Sequence, residues 1–118
     1  YFFAIAKIRN PASINWKSPF VFVGKTDDEL SLVALESEVP SDAYPVDRGY
    51  RMMRVAGTLD MSLTGILARI SKVLADEEIP IFAVSTYNTD YILVKSHTCN
   101  NAVQALSRAG YLVTNEIS

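Results

Sequence analysis

The sequence has very little of the chemistry on which metal sites and most enzymes depend. Its 118 residues include one cysteine, Cys99, and one histidine, His97. A single cysteine excludes an intramolecular disulfide and a cysteine-based zinc site, and it agrees with a reducing, cytoplasmic setting. No phosphate-loop, dinucleotide-binding, zinc-protease or nucleophile-elbow motif occurs. We therefore expect no bound metal and no cofactor.

An excess of basic residues and long apolar runs are also missing. Eleven Lys and Arg stand against 13 Asp and Glu, which gives a formal net charge of −2. Proteins that bind nucleic acids or anionic lipids usually do so through strongly basic surfaces. No apolar stretch reaches the roughly 18 residues that a membrane-spanning helix needs, and residues 1–6 lack the basic lead of a secretory signal. We expect neither nucleic acid nor a membrane as a partner.

The residues needed for a packed core are present, since 49% of the chain is hydrophobic and 20% is charged. In the first half, β-branched and aromatic runs predict strands at 3–8, 20–23 and 30–35. Short polar residues predict a turn at 26–28. One helical turn is expected at 39–42 and a linker at 45–49, so this half has strands and little helix.

The second half has a clearer pattern. It predicts strands at 50–59, 81–87, 90–95 and 111–114, a tight turn at 88–89 and a helix over 60–78. A second helix begins near Thr98 or Asn100 and ends before Gly110, which suits left-handed backbone angles. Apolar residues fall on one face of each helix: Leu63, Ile66, Ile70, Val73 and Leu74 on the first, and Ala102, Ala105, Leu106 and Ala109 on the second. The order β-α-β-β-α-β is typical of an α+β, ferredoxin-like sandwich.

One candidate site lies where a predicted strand leads into the first predicted helix. Free backbone N–H groups at such a helix start attract anions, including the carboxylate of an amino acid. Gly65 would let a ligand or a neighbouring chain approach the backbone closely. The alternative is that Asp60, Ser62 and Thr64 only cap the helix and Gly65 only packs.

A second candidate lies at the predicted hairpin around residues 85–91. Polar side chains cluster where a buried hairpin reverses, and Asp90 is suited to pair with an ammonium or guanidinium group. The alternative is an ordinary turn in which the carboxylate accepts a backbone hydrogen bond.

The remaining reactive side chains do not indicate catalysis. His97 has no carboxylate or cysteine cluster around it in the sequence, and Cys99 lacks an obvious base although it lies near a helix start. The acidic run at residues 76–78 is typical of a solvated helix end. An enzyme is therefore the least favoured class of function.

Two segments of the second half are informative together. They are Ser62-Leu63-Thr64-Gly65-Ile66-Leu67-Ala68 and Ile79-Pro80-Ile81-Phe82-Ala83-Val84-Ser85-Thr86-Tyr87-Asn88-Thr89-Asp90-Tyr91-Ile92-Leu93-Val94. Both resemble the ACT-domain family related to the regulatory domain of aspartate kinase and to the CASTOR-type arginine sensors. Thr64-Gly65 stands where many ACT domains carry Pro-Gly. The resemblance covers residues 50–114 and extends more loosely to 3–48. It departs from many relatives at Glu78, where they have glycine.

The resemblance implies an ACT domain at 49–118, preceded by a degenerate, strand-rich ACT-like half at 1–48. It implies a non-catalytic regulatory domain that senses a free amino acid, forms a homodimer and acts on a partner protein. Backbone N–H groups near Leu63–Ile66 would bind the ligand's carboxylate, and Asp90 or Asp60 would bind a cationic group. The lining it implies is Asp60, Ser62, Leu63, Thr64, Gly65, Ile66, Ser85, Thr86 and Asp90. The alternative is a protein-interaction or dimerisation module that uses its sheet edges without a small ligand.

Overall fold

The computed structural model describes residues 1–55 and 65–113. In these ranges the strands are β1 (Phe3–Lys7), β2 (Val21–Lys25), β3 (Leu30–Leu35), β4 (Val46–Arg54), β5 (Phe82–Ser85) and β6 (Asp90–Lys95). The helices are α1 (Ile66–Asp76) and α2 (Cys99–Arg108), with short 3-10 turns at Pro11–Ser13, Glu36–Glu38 and Ser96–Thr98. No helix in the described ranges is long and apolar enough to cross a membrane.

The chain divides into two compact units, Tyr1–Tyr50 and Arg51–Ser118, and the division falls inside β4. Strands β1 to β4 of the first unit follow the antiparallel order β2-β3-β1-β4. That is the strand order of a ferredoxin-like sheet, with 3-10 turns at the two places where such a unit carries helices. Part of its core consists of buried apolar side chains of the strands and the first loop, namely Ile8, Ile14, Leu32 and Ala34.

The predicted linker at 45–49 is wrong, because β4 begins at Val46 and pairs there with Ala6. Glycine and charged residues suggested a loop, but Gly49 lies inside the strand with a φ of +84°. The pairing shifts by one residue beside it, as in a β-bulge, where a positive φ favours glycine. Its N–H donates a 2.6 Å hydrogen bond to Oε2 of Glu36. The helical turn predicted at 39–42 lies earlier, at Glu36–Glu38.

The second unit follows the strand order β4-β6-β5 and carries both helices. Ile70 and Leu74 of α1 are buried, as the apolar stripe predicts, and so are three residues of α2. The α+β class and the ferredoxin-like arrangement are therefore confirmed. Part of the core of this unit is a cluster of buried apolar residues, namely Val55, Ile70, Leu74, Ile79, Ile92, Val94, Ala102, Ala105 and Leu106.

Three details of the second half differ from the prediction. Ala109 is exposed because α2 ends at Arg108 and Ala109 is its C-cap. Residues 111–113 form no strand, and Thr114 lies outside the described residues. The strand predicted at 81–87 ends at Ser85, because Thr86 already belongs to the turn.

Both helices end with the same pattern of backbone hydrogen bonds. After α1, Ile79 N–H donates to Leu74 O and Glu78 N–H donates to Ala75 O, each at 2.9 Å. After α2, the corresponding bonds join Tyr111 to Leu106 at 3.0 Å and Gly110 to Ser107 at 3.1 Å. This is the Schellman arrangement, which requires a left-handed residue just beyond the helix. Gly110 fills that position after α2 with a φ of +97°, and Glu78 fills it after α1 with a φ of +58°.

Candidate functional site

The hairpin between β5 and β6 brings three of the predicted site residues together. Ser85 and Asp90 are the last cross-strand pair before the turn, and Thr86 is the first turn residue. The turn closes through a 2.8 Å bond from Thr86 N–H to Thr89 O, and the Thr86 hydroxyl donates to the same carbonyl at 3.0 Å. Ser85 and Thr86 are exposed and Asp90 is half-buried, so a ligand can reach this cluster.

The Asp90 carboxylate is held in place by its cross-strand neighbour. The Ser85 hydroxyl donates a 2.6 Å hydrogen bond to Oδ1, the short distance expected for a hydroxyl on a charged oxygen. Among the described residues, Oδ2 accepts no hydrogen bond. One oxygen is thus engaged, while the other is available to an incoming ammonium or guanidinium group.

The hairpin also holds the end of β4. Val55 N–H donates to Asp90 O at 3.0 Å, and Val55 O accepts from the Thr89 hydroxyl at 2.8 Å. Both backbone groups of Val55 are therefore engaged by two successive residues of the hairpin. Thr89 was not among the residues predicted from the sequence to form the site. The feature of the sequence that could have identified Thr89 is its hydroxyl, because Thr89 ends the turn and directly precedes Asp90.

The helix-start part of the predicted site is described only at Gly65 and Ile66, while Asp60, Ser62, Leu63 and Thr64 lie outside the described residues. Gly65 is the N-cap of α1, with a φ of +82°, and its carbonyl accepts the first helical bond from Arg69 N–H at 2.9 Å. Placing Gly65 inside the helix was therefore wrong. No side chain caps this N-terminus among the described residues.

Gly65 and Ile66 share no hydrogen bond with the hairpin among the described residues. Gly65 is exposed and Ile66 is half-buried against the core of the second unit. The helix start supplies backbone N–H groups and the positive end of the helix dipole, which attract a carboxylate. The hairpin supplies a carboxylate and two hydroxyls, which attract a cation.

The other reactive residues lie apart from this cluster. His97 is exposed in the 3-10 turn at Ser96–Thr98. Cys99 is the first residue of α2 and packs half-buried against the core. In the described ranges no group of three or more His, Cys, Asp and Glu side chains is arranged to bind a metal. The acidic end of α1 is exposed and forms ion pairs, with Lys72 to Asp76 at 3.0 Å and Arg108 to Glu77 at 3.1 Å.

Solved structures with the same fold come from several bacteria. A protein of Agobacterium tumefaciens is 31% identical with a TM-score of 0.85, over 98% of this chain and 89% of that one. A Vibrio cholerae protein, described as a possible transport protein, is 15% identical with a TM-score of 0.70, over 93% and 84% of the two chains. Clostridium acetobutylicum aspartate kinase, described as an allosteric enzyme, is 14% identical with a TM-score of 0.69. The match covers 93% of this chain and 33% of the kinase.

The fold and the family comparison define the class of protein as a regulatory, ligand-binding α+β domain. The ACT-domain family model matches residues 46–108, which is more than half of the chain. The chain belongs to the ACT-domain family, as the resemblance in the sequence implied.

Proposed function

We propose that this chain is a non-catalytic sensor that binds a free amino acid at the β5–β6 hairpin and the start of α1. The observation that carries the proposal is the Asp90 carboxylate, half-buried and oriented by Ser85, with one oxygen unused by the described residues. Such a carboxylate is suited to an ammonium or guanidinium group. A backbone helix start is suited to the ligand's carboxylate.

The proposed lining joins described and undescribed residues. We include in it Gly65, Ile66, Ser85, Thr86 and Asp90, which the structure describes. Asp60, Ser62, Leu63 and Thr64 belong to it through the family resemblance. We propose that Asp90, with Asp60 as the alternative, binds the cationic group and that backbone N–H groups near Gly65 bind the carboxylate. A partner protein in the cytoplasm would then respond to the ligand-bound state of this chain.

A thermal-shift screen against the twenty amino acids at millimolar concentration tests this function. A ligand at 100 times its dissociation constant adds about 2.7 kcal/mol to the free energy of unfolding. A stabilisation of this size raises the melting temperature by an easily measured amount. We expect a selective hit that Asp90→Asn abolishes. Asp28→Asn is the matched control, because Asp28 is an exposed acid in the turn between β2 and β3. The proposal fails if no amino acid stabilises the wild-type chain.

We propose as well that the first unit is a reduced ACT-like copy of the second. The hairpins support this, because Lys25 pairs with Leu30 and, sixty positions further along the chain, Ser85 pairs with Asp90. In each hairpin the first turn threonine donates its N–H to the carbonyl of the fourth turn residue. Strands β3 and β6 also share one pattern of burial, with the same three positions buried.

The second candidate is a dimerisation or interaction module that uses a sheet edge. Strand β5 is the outermost strand of its unit, carries no charged residue and leaves Phe82 37% exposed. Edges of this kind pair readily with another strand. If β5 joins two copies, Ala83→Lys should convert a dimer to a monomer in light scattering, whereas Ser107→Lys, at an exposed position of α2, should not. A monomeric wild-type chain would refute dimerisation through β5.

A further inference from the structure

We infer that Thr89 is a positioning residue for the Asp90 carboxylate and for the end of β4, an inference that rests on the proposed function. Its hydroxyl donates a 2.8 Å hydrogen bond to Val55 O. The next residue, Asp90, accepts from Val55 N–H at 3.0 Å. Two successive hairpin residues thus hold one residue at two points, so neither the hairpin end nor Val55 can turn without breaking a bond.

These hydrogen bonds help to fix the position of Asp90 in the candidate site. The backbone of Asp90 is fixed by Val55 on one side, and its side chain is fixed by Ser85 on the other. The Thr89 bond prevents Val55 from rotating about its hydrogen bond to Asp90. Val55 is also the last described residue before the segment that carries four of the proposed lining residues. Thr89 therefore acts on ligand binding through its neighbours, without touching the ligand itself.

The bond is local, and we expect its loss to leave the packing of the second unit in place. Val55 is buried in the core together with Ile92 of β6. The Arg54 guanidinium lies 5.5 Å from the centre of the Tyr91 ring, which gives β4 and β6 a further contact. In the first unit the turn position that corresponds to Thr89 is Glu29, whose carboxylate accepts from the Ser31 hydroxyl instead. We expect Thr89→Val, which keeps the shape and removes the hydroxyl, to fold normally.

Amide hydrogen exchange measured by NMR without ligand tests the first step. We expect Thr89→Val to raise the exchange rate of the Val55 amide about fivefold, the effect of losing one neutral hydrogen bond. Thr89→Ser keeps the donor and should restore the wild-type rate. Thr26→Val removes a turn hydroxyl from the first unit and should leave Val55 unchanged. An unchanged Val55 rate in Thr89→Val would overturn the inference, whatever the chain binds.

Calorimetry with L-arginine tests the second step. If the wild-type chain binds L-arginine, we expect Thr89→Val to weaken the affinity about fivefold or more, with recovery in Thr89→Ser and no change in Thr26→Val. Equal affinities for wild type and Thr89→Val would overturn the positioning role. If the wild-type chain does not bind L-arginine, arginine is excluded as the ligand of the proposed function. Hydrogen exchange at Val55 then decides the inference alone.

Discussion

The phenol of Tyr50 donates a 2.7 Å hydrogen bond to Oδ2 of Asp47 on the same strand. Desolvation by burial, the hydrogen bond to Asp47 and the negative charge of Asp47 together raise the pKa of Tyr50 from 10.0 to about 12. Each of these causes favours the neutral phenol over the phenolate. The folded chain thus retains this proton at a pH where the unfolded chain has released it.

The sign of the pH dependence follows from this difference. The contribution of Tyr50 to stability is complete below pH 10 and is lost as the pH rises from 10 towards 12. We expect Tyr50→Phe to remove the phenol that titrates near pH 12 in an ultraviolet absorbance titration. Its free energy of unfolding should fall less steeply over that range than the wild-type value. An unchanged titration curve would contradict the Tyr50 assignment.

At the scale of the elements, the two helix ends offer a matched pair of substitutions. Glu78 occupies a left-handed position with a φ of +58°, which costs a residue with a side chain more than it costs glycine. Glycine loses more chain entropy on folding, which offsets part of this gain. We expect Glu78→Gly to raise the free energy of unfolding by about 0.5–1 kcal/mol in urea denaturation.

Gly110 is the control for that prediction, because it occupies the equivalent position after α2 with a φ of +97°. Among the described residues, a Cβ atom there would meet no atom within 4 Å apart from its two chain neighbours, so Gly110→Ala tests mainly the backbone conformation. We expect a loss of about 1 kcal/mol. A stabilised Gly110→Ala, or a destabilised Glu78→Gly, would show that the left-handed angle does not govern these helix ends.

The elements also show which features the sequence could predict. Strands β3 and β6 have the predicted bounds, because apolar runs lie between a polar turn and a polar exit. The end of α2 could be located from Gly110. The start of β4 could not, because it depends on a bulge at Gly49 and on the hydrogen bond that Gly49 N–H donates to Glu36. Such a bond joins residues far apart in sequence, which local patterns do not register.

The candidate site could also be predicted only in part, where its residues are close together in the sequence. Ser85, Thr86 and Asp90 could be grouped because a hairpin brings residues close in sequence together. Thr89 was missed because its partner, Val55, lies 34 positions earlier. The exposure of Ala109 was missed because periodicity does not mark the residue at which a helix ends.

At the scale of the whole molecule, the two hairpins predict the binding stoichiometry. The first unit has Lys25 and Leu30 where the second has Ser85 and Asp90. A lysine repels the cationic group that Asp90 is proposed to bind, and a leucine offers it no acceptor. We expect calorimetry to give one bound amino acid per chain, and Asp90→Asn to abolish all binding. Two bound ligands per chain would show that the first unit also binds the amino acid.

Strand β4 determines where the chain can be divided into fragments. Its first residues pair with β1 in one unit, and its last residue leads to Val55 in the other. A cut at residue 45 would leave residues 46–50 without their β1 neighbour, and a cut at residue 51 would divide the strand itself. An unpaired strand edge invites aggregation. Fragments made for expression, fusion or domain exchange should therefore keep residues 1–55 continuous, and grafting either unit alone requires a replacement for β4.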